Sequence, residues 1–469
     1  MQRQLGSMLS LPRRLLGNLA LLRRDPVRFA GNLLQLTNPA LFEERLIDLL
    51  HDVPMQVRFD AAFDGPLRLN VLDSAWAPSI MTGGPNTVIN LAYRIARQGV
   101  AVRLVSTVER SLIDPAWLHG HATALMGGAE LPEVGIASAA DAGQPLQLGP
   151  SDVFLATHWT TALQLKAVLP MMPVRQFFYM LQEFEPGFYA WSSNYARAVE
   201  TFGMDFWPVV NEAMLADFLL SQPLGRLQDP VTRDRAVVFE PAVDGALFRP
   251  GATEGQVLPK RLLFYARANS TRNLFGLGLM ALRQAAVDPA FAEWEFLSIG
   301  SRGSVPDLPL GGGHVLRRAP WMDYAGYGDL LRQAGVLLCP MLSPHTSYPV
   351  LEMAACGGLS VTNTFATKTA AGLTALSDNI LAPDATVEGL TAGLLDAARR
   401  VNAGAPRRAS LNMARDWGAA LDPAASRVAE VARTLLQQAG TGAALGQAAS
   451  LVTGDAIVSS TSSSDGLRP

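Results

Sequence analysis

From about residue 67 onward the chain alternates short apolar runs with amphipathic stretches, the pattern of strands and helices in an α/β protein. Leu67-Arg68-Leu69-Asn70-Val71-Leu72 starts with alternation and ends apolar, which predicts a strand. After a loop, Val88, Leu91, Ala92, Ile95 and Ala96 recur at helical spacing and Gly99 closes the helix. Asp152 to Thr157, Arg175 to Met180 and Phe206 to Val210 read as further strands. A second run of the same kind begins at Leu262 to Arg267 and continues with strands at Trp294 to Ile299, His314 to Leu316, Val336 to Pro340 and Leu359 to Thr362. The two runs meet near Pro241 to Pro250, and Leu411 to Gln438 reads as helix. The fold class expected is α/β with two Rossmann-like domains, 65–245 and 246–405, followed by helices over 406–439. Residues 1–64 read as a basic, mainly helical extension. Residues 440–469, rich in Ala, Gly, Ser and Thr and ending in Ser459 to Ser464, read as a disordered tail.

Composition narrows the class. With 469 residues and 49% hydrophobic content the chain is long enough for two domains with full cores. A net charge of −3 gives no general attraction to nucleic acid. Cys339 and Cys356 both sit in apolar elements, as buried small residues do, and no Cys/His cluster offers a metal site. The start of the chain carries Arg3, Arg13, Arg14, Arg23, Arg24 and Arg28 between leucines. It reads as neither a spanning helix nor a signal peptide. Its leucines pack it on the first domain, or its arginines dock it on an anionic inner-membrane surface. A cytoplasmic protein is expected.

The most informative segment is Leu342-Ser343-Pro344-His345-Thr346-Ser347-Tyr348-Pro349-Val350-Leu351-Glu352-Met353-Ala354-Ala355-Cys356-Gly357-Gly358. It follows a strand predicted to be buried on both faces, makes a polar loop, and starts a helix at Pro349 that Gly357-Gly358 ends. Free N–H groups in that first turn favour an anion such as a diphosphate. Glu352, one turn in, can accept hydrogen bonds from sugar hydroxyls. Gly83-Gly84 before a helix suggests close backbone approach to a ligand, although Gly-x-Gly-x-x-Gly is absent. His158 falls at a strand's carboxyl end, where open α/β sheets bind ligands. The stretch 181–191 combines Glu183 and Glu185 with Gln182 and four aromatics, Phe184, Phe188, Tyr189 and Trp191. That mixture suits carbohydrate, and Glu183 is the preferred polar contact to a sugar.

Together these residues resemble the donor site of retaining, metal-independent glycosyltransferases of the GT-B fold, family 4 type. The string Ser-Pro-His-x-Ser-Tyr-Pro-x-Leu-Glu-Met-Ala is most similar to a subgroup of rhamnosyltransferases that build bacterial surface polysaccharides and S-layer glycans. Where most of the family has a further glutamate, this chain has Pro344. Phe239 to Pro250 resembles the family's interdomain linker, and Arg267 with Arg272 has the spacing of its paired cations. The resemblance implies two Rossmann-like domains facing each other across a cleft, with the terminal helices crossing back to the first. It implies that Arg267 and Arg272 face the donor diphosphate, that Glu352 holds the nucleoside's ribose, and that His158 and Glu183 position donor sugar or acceptor. Gly83, Gly84, Ser343, His345, Ser347 and Tyr348 complete the donor site. The reaction implied is transfer of L-rhamnose from dTDP-L-rhamnose to a glycan or lipid-linked oligosaccharide acceptor, with retention of configuration, no metal and no other cofactor. A sugar-nucleotide epimerase of the same fold and a non-catalytic binding protein are the alternatives.

Overall fold

The computed structural model describes residues 54–454 apart from 64, 79–80, 82, 269 and 301–306. The basic stretch up to residue 53 and the serine-rich end therefore lie outside the described residues. The first domain contains, in chain order, β1 (Val57–Phe59), β2 (Arg68–Asp73), α1 (Gly83–Arg97), β3 (Ala101–Ser106), β4 (Gly135–Ser138), β5 (Leu146–Leu148), β6 (Asp152–Ala156), α2 (Trp159–Val168), β7 (Phe177–Leu181), β8 (Phe206–Asn211), α3 (Ala213–Ser221) and β9 (Val237–Phe239). Its main sheet runs β4-β3-β2-β6-β7-β8-β9, with every neighbouring pair parallel. All five residues of β6 and of β7 are buried, because helices cover both faces of the sheet.

The second domain contains β10 (Arg261–Tyr265), α4 (Phe275–Ala286), β11 (Glu295–Ile299), β12 (Leu308–Gly311), β13 (His314–Arg318), α5 (Tyr324–Arg332), β14 (Val336–Leu338), α6 (Tyr348–Ala355), β15 (Leu359–Val361), β16 (Ile380–Leu381) and α7 (Val387–Asn402), and the last helix, α8 (Trp417–Gly454), follows. Its sheet runs β12-β13-β11-β10-β14-β15-β16, parallel except for the β12–β13 hairpin. Gly335 stands at the entry to β14, where a Cβ would lie 2.3 Å from the Pro259 carbonyl oxygen. Only glycine lets β14 start that close to the chain entering β10. In each sheet the chain leaves a central strand to opposite sides, at β2 and at β10. That creates a crevice at the strands' carboxyl ends.

The last helix crosses back to the first domain. Leu421, Ala425, Val428, Ala432 and Leu435 of α8 join the core formed by Ile89, Tyr93 and Ile95 of α1. Arg94 Nη1 reaches Asp422 Oδ1 at 2.5 Å, and Arg433 donates to the Gln98 carbonyl. Three boundaries differ from the expectation. Residues 57–59 form a strand paired with β5 and not part of a helical extension, because Val57 and Phe59 alternate into the core. The final helix begins at Trp417 and not at Leu411. Residues 414–415 instead pair with the linker, through Val243 N–H to Ala414 O and Gly245 N–H to Arg415 O. It then runs to Gly454, past the expected start of a disordered tail. Alanine is the best helix former, so an alanine-rich stretch attached to an anchored helix continues it. Among the described residues no helix is long and apolar enough to cross a membrane.

Candidate functional site

The carboxyl ends of the two sheets meet, and side chains from both fill the seam. After β10 the chain turns through Arg267 and Arg272. Arg272 is about a quarter exposed, its Nη1 pairs with Glu183 Oε2 beyond the end of β7, and its guanidinium lies 4.7 Å from the centre of the Phe188 ring. Burial lowers its pKa to about 10, which leaves it charged at neutral pH. The other Glu183 oxygen accepts from Ser343 Oγ of the loop after β14. Glu183 thus joins two donor-site candidates to the opposite domain. Arg267 stands half-buried beside Tyr265, with its Cγ 3.3 Å from where a Gly300 Cβ would be.

The loop after β14 is held by its own polar groups. Ser343 Oγ accepts the His345 N–H at 3.0 Å, and His345 Nδ1 accepts the Ser347 N–H at 3.0 Å. Nδ1 is therefore an acceptor and the ring proton sits on Nε2, which is buried with no partner. Burial pushes the His345 pKa down to about 3, with Arg272 and Lys368 adding to the effect, so this imidazole is a neutral donor. Ser347 has φ +82°, a strained conformation outside glycine, and those contacts hold it there. Next along, the Tyr348 hydroxyl lies 3.3 Å from Thr87 Oγ1 and 3.1 Å from Asn211 Nδ2. Its ring passes 3.5 Å from the position of a Gly83 Cβ, while Gln182 Nε2 lies 3.6 Å from that of Gly84. The glycine pair therefore lies against the opposite domain's tyrosine and Gln182 at distances that are ordinary contacts for a Cβ.

Glu352 lies one turn beyond Tyr348 on the same face of α6. It is 4% exposed, it accepts from the Tyr324 hydroxyl at 3.0 Å, and burial pushes its carboxyl up to about 7. A further group joins the domains, and a buried cation lies beside it. Glu212 Oε1 accepts from Thr346 N and Oγ1 at 2.7 and 2.6 Å. Lys368, fully buried, donates to the Met341 carbonyl at 2.8 Å, and desolvation lowers its pKa to about 8. Neither Tyr324 nor Lys368 was legible as a site residue. Tyr324 opens an ordinary amphipathic helix, and Lys368 sits in a polar stretch that reads as loop.

On the first domain's side, His158 caps α2. Its Nδ1 lies 3.0 Å from Thr160 Oγ1 and accepts the Thr160 N–H at 3.5 Å. The ring proton is then on Nε2, 3.9 Å from Glu185 Oε1. A third of the side chain is exposed, and the ring lies parallel to Phe188. Glu185 is buried, with Oε2 accepting the Trp159 N–H at 2.6 Å and the Tyr179 hydroxyl at 3.4 Å. Burial pushes its carboxyl up to about 8, so it holds its proton at neutral pH. Because this value is raised above that of the unfolded chain, the folded form binds the extra proton. The group's contribution to stability is full below about pH 4.5 and is lost as pH rises through about 8. Glu185→Gln should therefore flatten the decline of melting temperature between pH 5 and 8.5. Unchanged slopes in parallel melts would contradict a buried proton on Glu185.

Two Rossmann-like sheets whose strand ends face each other across a polar seam, with a terminal helix returning to the first domain, define a GT-B fold. Residues 68–210 match the WsaF N-terminal domain and residues 260–395 match the WsaF C-terminal domain. These matches lie in order and cover more than half of the chain, which belongs to the WsaF family. Over 254 residues the chain is 34% identical to the O-antigen biosynthesis protein RfbC of Myxococcus xanthus, covering 52% of this chain and 18% of that protein. It thus spans about a fifth of that relative's length. Solved structures similar to it include sucrose-phosphate synthase from Thermosynechococcus elongatus (TM-score 0.47, 13% identity, 81% of this chain and 99% of that one). Another is HepE of Anabaena in complex with UDP and glucose (TM-score 0.46, 13% identity, 81% and 99%).

Proposed function

We propose that the protein transfers a glycosyl group from a nucleotide sugar to a growing surface polysaccharide. The observation that carries this reading is the convergence of Arg272, Ser343 and the buried His345 Nε2–H at the seam between the two sheets. A departing nucleoside diphosphate builds negative charge there. Arg272 with Arg267, and the His345 N–H, would meet that charge without a metal ion. The family match and the O-antigen biosynthesis relative support the polysaccharide context. The donor proposed is dTDP-L-rhamnose, from the Ser343 to Ala354 string, and the acceptor a glycan or lipid-linked oligosaccharide.

Retention of configuration needs no side-chain base. The bond from the sugar's anomeric carbon to the phosphate oxygen breaks, the acceptor oxygen bonds to that carbon on the same face, and the acceptor's proton passes to the departing phosphate. His158 suits this scheme as a positioning group, since Nδ1 caps α2 and Nε2 faces Glu185.

The test is a thermal-shift panel of nucleoside diphosphates and their sugars, followed by product analysis with glycan acceptors. A ligand at a hundred times its dissociation constant adds about 2.7 kcal/mol of stability. A selective shift with dTDP and dTDP-L-rhamnose, and an α- or β-linked product matching the donor's anomer, is expected. A shift with guanosine or uridine donors alone would overturn the donor, and an inverted product would overturn retention. No shift with any of them would overturn the reading itself.

A further inference from the structure

Glu183 brings a carboxylate from the first domain onto the groups proposed to receive the donor's diphosphate. It lies just past the end of β7 and is 6% exposed. Its Oε2 takes Arg272 Nη1, and its Oε1 accepts from Ser343 Oγ and, at 3.0 Å, from the Phe184 N–H. Further along the same loop, the Phe188 ring covers a face of the same guanidinium at 4.7 Å.

Two features set this arrangement against a bound diphosphate. A hydroxyl has a single proton to give. Ser343 gives it to Glu183 while its oxygen accepts the His345 N–H at 3.0 Å, so it can donate to a phosphate only after leaving the carboxylate. Arg272 has further N–H groups to offer, but a diphosphate held on them would stand against the buried Glu183 carboxylate, and like charges in a poorly solvated site repel strongly. The carboxylate also leaves a donor of this group unsatisfied. His345 Nε2–H, near enough to Arg272 to feel its charge, is buried with no partner. A diphosphate has more oxygens than a carboxylate with which to satisfy such a set. Other contacts join the domains independently of Glu183: Tyr348 with Thr87 and Asn211, and Glu212 with Thr346. Glu183 can leave Arg272 while those persist.

We infer that Glu183 holds the diphosphate's place in the unliganded protein and is exchanged for it when the donor binds. Its return to Arg272 and Ser343 then competes with the nucleoside diphosphate left after transfer and lowers the affinity for that product. The inference rests on the reading of Arg272 and Ser343 as the diphosphate site. It gives Glu183 a role different from the sugar contact expected from the sequence.

Titration calorimetry on the full chain, wild type, Glu183→Gln and Glu183→Ala, compares dTDP, UDP, GDP and dTDP-L-rhamnose, alongside unliganded melting curves. Glutamine keeps the size and the hydrogen-bonding oxygen and removes only the charge. Both variants should bind the nucleoside diphosphate about tenfold tighter than wild type, since like-charge juxtaposition is relieved. A crystal structure of the wild-type protein with that nucleotide should show the Glu183 carboxylate separated from Arg272, a readout that does not depend on either variant folding. Unchanged or weaker nucleotide binding in the variants would overturn the inference and make Glu183 a residue that positions Arg272. Unchanged nucleotide binding with weaker dTDP-L-rhamnose binding would overturn it in favour of a sugar contact. A Glu183–Arg272 pair retained beside the bound diphosphate would overturn it as well. Each of these leaves the nucleotide-sugar reading standing, whereas binding of none of the four ligands to wild type or variants would overturn that reading and this inference with it.

Discussion

Replacing Arg272 by alanine should lower kcat about 10²- to 10³-fold, the range found when one donor to a developing oxyanion is removed. The side chain is largely buried, it stays charged, and it sits where the loop after β10 meets the loop after β14. Leu342 N–H bonds to the Arg272 carbonyl at 2.8 Å, which ties the two loops together. The loss should fall on turnover more than on donor binding, because the diphosphate's charge is largest as it departs. Arg272→Lys should be intermediate. It keeps the charge but loses the planar fork and the contact with Phe188. The check is steady-state kinetics with kcat and KM resolved separately, plus a melting curve, since alanine also takes a partner from Glu183. A rise in KM with kcat unchanged would reassign Arg272 to ground-state binding.

Asp152→Ala should cost about 3–5 kcal/mol of stability, the range for breaking a buried charge cluster by removing one member. The carboxylate is 2% exposed at the base of β6, far from the seam. It accepts from Arg68 Nε at 2.6 Å and Nη2 at 2.8 Å, from Asn70 Nδ2 at 2.8 Å and from Gly149 N at 2.7 Å. Arg103 Nη2 lies 3.7 Å away. Alanine would leave two poorly solvated guanidinium groups and the Asn70 amide without their common acceptor. Burial by itself raises the Asp152 pKa, but the Arg68, Asn70 and Gly149 hydrogen bonds outweigh it and hold the carboxyl below its ordinary 3.8. A depressed value means stabilisation that is present above the unfolded pKa and lost as pH falls through the folded one. The gap between wild type and variant should therefore be full at pH 7 and shrink below about pH 4. Urea unfolding at both values measures it. A loss under about 1 kcal/mol at pH 7 would contradict the cluster's role.

The apolar strands were legible because a parallel sheet covered on both faces demands runs such as Val153 to Ala156 and Val336 to Leu338. Helix α1 was legible from its 3.6-residue period and from Gly99, which has φ +77°. Element ends were harder. The extended pairing of 414–415 with the linker and the continuation of α8 to Gly454 follow from docking and propensity, which compete with composition. Within the candidate site, the loop 342–348 and Glu352 stood out because the local order of strand, polar loop and helix start is itself a chemical arrangement.

By itself the sequence determined the alternation of strand and helix, the presence of two successive α/β domains, and the residue types at each strand's carboxyl end. Those are local or periodic properties, carried by neighbours a few positions apart. Tertiary structure alone decided which of those ends meet. Glu183 finds Arg272 and Ser343, and Tyr348 finds Thr87 and Asn211; at the opposite, amino ends of the strands Asp152 gathers Arg68 and Asn70. It also placed Tyr324 on Glu352 and turned the His158 ring toward Glu185 while its other nitrogen caps a helix. Hydrogen bonds and buried charges depend on distances set to within a few tenths of an ångström between residues remote in the chain, and no local pattern encodes those distances.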